Sequence, residues 1–62
     1  MDKQYYFIEG LTFLKLANDA QASTEFFDLI QSFEGTGYRV SQAEEKFLNG
    51  AIGMEVTAVY VG

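Results

Sequence analysis

The chain has 62 residues, of which 48% are hydrophobic and 16% aromatic; nine acids against four bases give a formal net charge of −5, and Cys, His, Pro and Trp are all absent. A chain of this length forms at most one small domain, and with neither a disulfide nor a Cys/His zinc site to support it, association with another chain becomes a source of stability. The bases Lys3, Lys15, Arg39 and Lys46 are scattered, which argues against direct nucleic-acid binding and towards a basic protein as partner.

Met1 leads into acidic Asp2, and the apolar run that follows is broken by Glu9 and Lys15. Neither a secretory signal nor a membrane span is legible, and the lack of cysteine suits a reducing compartment. The expectation is a soluble cytoplasmic protein, in the host cytoplasm if the source is viral.

Residues 3–16 read as a β-hairpin with its turn at Glu9-Gly10. That register puts Tyr6, Ile8, Leu11 and Phe13 on one face and Tyr5, Phe7, Leu14 and Leu16 on the other, so both faces are apolar. A rival reading starts a helix near Leu11 and runs it into the central one, because Leu11, Leu14 and Ala17 also have helical spacing.

The segment from Asn18 to Gly35 carries the strongest pattern. Phe26, Leu29, Ile30 and Phe33 recur at i, i+3, i+4 and i+7, which predicts an amphipathic helix. Asn18, with Gln21 three residues on, or else Ser23, would cap its start, and Gly35 would supply the left-handed residue at its end. Gln21, Glu25, Asp28 and Ser32 form a polar stripe. Phe27 falls well off the apolar stripe and reads either as a widening of the buried face or as a contact for a partner.

Gly35-Thr36-Gly37 reads as a loop, and Tyr38 to Val40 as the start of a strand. Ser41-Gln42-Ala43-Glu44 matches a capping box and predicts a short helix from Gln42 to about Asn49. The competing reading makes Asn49-Gly50 a type I′ hairpin turn, but it sets Glu44 opposite Glu55, an unfavourable like-charge pair. Met54 to Val61 alternates Met54, Val56, Ala58 and Tyr60 against Glu55, Thr57, Val59 and Val61, as expected of a strand paired on both sides. The fold class is therefore α+β: one domain over residues 1–62, with a small antiparallel sheet of the N-terminal hairpin and the C-terminal strand packed on one central helix.

The chemical inventory is thin. Without His or Cys the usual base and the strongest nucleophile are missing. The carboxylate pairs Glu25/Asp28 and Glu44/Glu45 read as solvated helix faces rather than as a metal or acid-base site, and Gly35 and Gly37 follow a helix where a phosphate loop would precede one. No enzyme activity, cofactor or metal is expected.

The expected role is protein binding by an inhibitor or modulator that occupies a basic surface of a larger partner. One concrete form has carboxylates take the positions of nucleic-acid phosphates, as a DNA mimic would. In size, acidity and aromatic content the chain resembles phage-encoded inhibitors of host enzymes, a likeness of type only. Candidate contact residues are Glu25, Asp28, Phe27, Glu44, Glu45, Tyr5 and Phe7. The alternative is a structural subunit in which surplus apolar faces meet in a homo-oligomer.

Overall fold

The computed structural model describes residues 2–62 and shows an α+β fold of two layers. In chain order the elements are β1 (Lys3–Glu9), α1 (Phe13–Asn18), α2 (Ala20–Gly35), β2 (Tyr38–Leu48) and β3 (Ala51–Tyr60). The three strands form one antiparallel sheet in the order β1-β3-β2, with β3 in the middle. Among the described residues no helix is long and apolar enough to cross a membrane.

The central strand behaves as its alternation predicts. Met54, Val56 and Ala58 are fully buried under the helices, and Leu11 from the β1–α1 connection completes that core. Ile8, Leu16, Ala22, Phe26, Phe33, Val40 and Ala43 pack around it, each only partly covered. An aromatic chain of edge-on contacts runs across the same layer. Tyr6 meets Phe33 at 6.2 Å, Phe33 meets Tyr38 at 6.4 Å, and Tyr38 meets Tyr60 at 5.3 Å. Such T-shaped pairs add favourable quadrupole contacts to simple burial.

The N-terminal hairpin does not form. β1 pairs with β3 instead, from Lys3↔Val59 to Glu9↔Gly53. Gly10 takes a left-handed φ of 84° and donates its N–H to the Ile52 carbonyl at 2.8 Å, so it turns the chain out of the sheet rather than back along β1. Thr12 then caps α1, its side-chain oxygen accepting from the Lys15 N–H at 3.0 Å. The rival helical reading of this stretch is closer, but the helix is not continuous with α2. Asp19 closes α1 through its N–H to the Lys15 carbonyl, and opens α2 through its carboxylate, which accepts from the Gln21 and Ala22 N–H groups. The cap is thus Asp19, not Asn18 or Ser23. At the other end Gly35 remains helical, and the left-handed residue is Gly37 at φ 89°.

The expected helix over 42–49 is a strand. β2 pairs with β3 through a turn at Asn49-Gly50, whose φ values of 52° and 79° are those of a type I′ turn. Glu44 does stand opposite Glu55. Lys46 reconciles them: its ammonium lies 3.0 Å from Glu55 and 4.0 Å from Glu44. A single cross-strand pair does not decide a register, because the residue two places along on the same face also contributes. One irregularity, a bulge between Val40 and Gln42, lets Val40 and Ala43 both face the helices.

Candidate protein-interaction surface

Strand alternation and helix placement sort the charged residues onto two sides. Lys3, Glu9, Arg39, Glu44, Lys46 and Glu55 occupy the strand positions of the sheet's outer face. Asp19, Glu25, Asp28 and Glu34 lie in or beside α2, with Lys15 the one base of the helices. Asp2 and Glu45 border them, since Asp2 accepts from the Tyr38 hydroxyl and Glu45 from the Phe13 N–H. Three bases balance three acids on the outer face, whereas the helix side carries six acids against one base. The net charge of the described residues is therefore concentrated on the helix side.

Glu25 and Asp28 are neighbours on α2 and both are exposed; Glu25 also accepts from the Gln21 side chain at 3.2 Å. Phe27 is 58% exposed, so the widened buried stripe does not reach it. It stands about 100° around the helix from Asp28 and about 160° from Glu25, where an apolar contact would be spatially separate from the acidic one.

Glu44 and Glu45 are parted by strand alternation. Glu45 caps the start of α1, its carboxylate 2.8 Å from the Phe13 N–H, and is committed to holding that helix against β2. Glu44 lies on the outer face beside Lys46 and Glu55. The Lys46 ammonium is held above its usual proton affinity chiefly by the hydrogen bond and charge of Glu55, with Glu44 adding to the pull. Tyr5 and Phe7 share this outer face, with Tyr5 63% exposed. Phe7 is partly buried because its ring leans over Gly53 of β3, where a side chain would collide with it. The seven candidate residues thus fall into two groups, Glu25, Asp28 and Phe27 on the helices and Tyr5, Phe7 and Glu44 on the outer face, while Glu45 serves the fold.

A groove of about 330 Å³ was not legible in the sequence. It lies between β1 (Tyr6, Ile8) and one stripe of α2 (Ala22, Glu25, Phe26, Leu29), closed at one end by the turn Glu9 to Leu11 and by Lys15. Its lining mixes apolar side chains with the charged Glu25 and Lys15, and Glu9 borders it at the turn. A strand reading of residues 11–16 hides it. The signal that could have revealed it is Thr12 three residues before Lys15, a helix start directly after β1.

Among the described residues no three acids gather as a metal site. Comparison of the chain with protein-family models, with curated proteins and with solved structures finds no match.

Proposed function

We propose that this chain is a small acidic protein-interaction module, an inhibitor or modulator that lays its helix side on a basic surface of a larger partner. The observation that carries the reading is the segregation of charge, with six acids against one base on the helix side and a balanced outer face. Asp19 and Glu34 are 15 residues apart, so the acids are spread along about 22 Å of helix, a span suited to a protein surface rather than to one ion. A basic surface that ordinarily holds nucleic-acid phosphates is the concrete target, with Glu25 and Asp28 meeting its Lys and Arg side chains and Phe27, further round the helix, offering a separate apolar contact.

Charge-steered association has a kinetic signature. With a partner captured from the native cell, the association rate should fall roughly tenfold or more between low and high salt, and Glu25→Lys with Asp28→Lys should weaken binding and flatten that salt dependence. Association that ignores both salt and charge reversal refutes the reading.

A further inference from the structure

We propose that the free edge of β1 is a self-recognition site, and that two copies of this chain pair through it into a continuous six-stranded antiparallel sheet. This goes beyond the acidic docking surface and does not rest on it, since it uses the backbone groups and side chains of β1.

The hydrogen-bond parity of β1 fixes which groups are free. The Tyr60 N–H donates to the Asp2 carbonyl and the Gly10 N–H to the Ile52 carbonyl, both in the register that pairs β1 with β3. Even-numbered residues of β1 therefore direct their backbone groups to β3. Lys3, Tyr5, Phe7 and Glu9 direct theirs outward, to an edge that no other strand among the described residues covers. The strand has no bulge and no proline, the usual devices that blunt an edge. The opposite edge, β2, carries the bulge near Ser41.

The sequence of β1 is complementary to itself when reversed. Antiparallel pairing about a two-fold axis at Tyr6 overlaps the whole strand and forms about eight N–H···O=C bonds from the outward groups. It places Lys3 opposite Glu9 of the second copy and Tyr5 opposite Phe7 of the second copy, each twice by symmetry. Opposite-charge and aromatic pairs directly across an antiparallel ladder are the favourable ones. On the helix side the two Tyr6 rings meet at the axis. Each is 48% exposed, so the pairing covers part of a large aromatic side chain that one copy leaves wet. Shifting the register by two residues in either direction loses the charge match and shortens the overlap.

The strand is short, so the interface lies at the small end of specific interfaces and a micromolar dissociation constant is expected. Sedimentation of the intact chain from about 5 to 500 µM should show a monomer–dimer equilibrium in that range. Lys3→Glu and Glu9→Lys should each weaken the dimer roughly tenfold, since each sets like charges across the edge twice. An equimolar mixture of the two variants should recover a heterodimer, because one copy then presents only carboxylates and the other only ammonium groups at these positions, so both cross-edge pairs are again of opposite charge. Tyr5→Pro should abolish pairing while leaving the circular dichroism unchanged, since the N–H it removes points away from β3. A strict monomer at the highest concentration overturns the proposal. So does a dimer indifferent to all three substitutions, which would place the contact elsewhere, and so does an edge that binds an added extended peptide while the chain itself stays monomeric.

Discussion

Gly53 offers the sharpest test of how β1 is seated. It lies in the middle strand opposite Glu9 on one side and Lys46 on the other. A Cβ built there would stand 2.5 Å from the Ile8 carbonyl oxygen and 2.8 Å from Cε1 of Phe7. Ordinary C···O approaches are about 3.3 Å or more, so Gly53→Ala requires β1 to retreat by about 0.8 Å or the Phe7 ring to swing out. The ring can move; the carbonyl belongs to the ladder and cannot move alone. Overpacking of this kind costs about 1–3 kcal/mol. A domain of this size has roughly 3–9 kcal/mol in total and loses about 4–8 °C per kcal/mol. Thermal unfolding followed by circular dichroism should therefore show a fall on the order of 10 °C. Adding Phe7→Ala should recover only part of it, because the backbone collision remains. A Gly53→Ala protein that melts within about 2 °C of the parent, or one fully restored by Phe7→Ala, would refute the close approach of β1 to β3.

Two further predictions concern the charged and phenolic groups. Lys46→Met should lower the melting temperature by removing the group shared by Glu55 and Glu44, and Glu44→Gln in that background should restore most of the loss by removing the repulsion; an unchanged melt for Lys46→Met would mean the three charges are independent. Stability should also decline in alkali. Lys46 holds its proton more tightly in the fold than the usual 10.5, chiefly through Glu55, and Tyr38 more tightly than the usual 10.0, chiefly through its hydrogen bond to Asp2. For a raised value the contribution is complete below the unfolded value and is lost as pH climbs through the folded one. Through these two groups the melting temperature should thus not vary with pH near neutrality, where their contribution is complete, and should fall progressively above about pH 10. Tyr38→Phe should flatten the lower part of that decline.

The α+β class, the helix stripe of Phe26, Leu29, Ile30 and Phe33, and the central placement of the last strand were legible because each rests on repeated spacing. The errors have local causes. Glu9-Gly10 has the composition of a tight turn, but a left-handed glycine serves equally to leave a sheet, and the cap at Thr12 decides between the two. Asn49-Gly50 is a sound turn signal, outweighed in the sequence by a like-charge pair that Lys46 neutralises from the same face. Phe27 stands outside the stripe as its angle indicates. The candidate acids were recognisable by type, but their sorting onto opposite sides depends on strand register, and the register depends on which turn is real.

The helix looks like the organiser in the sequence, yet α2 has no fully buried residue, while Met54, Val56 and Ala58 of β3 have no exposure at all. The middle strand is therefore what the fold is built on, and the helices are its cover. That cover is incomplete on one side, for a physical reason. α2 packs closely against β2 and α1, and residues 11–16, which as a second hairpin strand would have lain along β1, instead turn away into α1. One change of path at Gly10 thus leaves the β1 edge without a neighbour and the groove beside it open. Leu11, buried at 6% exposure, anchors that turn in the core. The unpaired edge is accordingly held in place by the same residues that build the core, which distinguishes it from a frayed terminus.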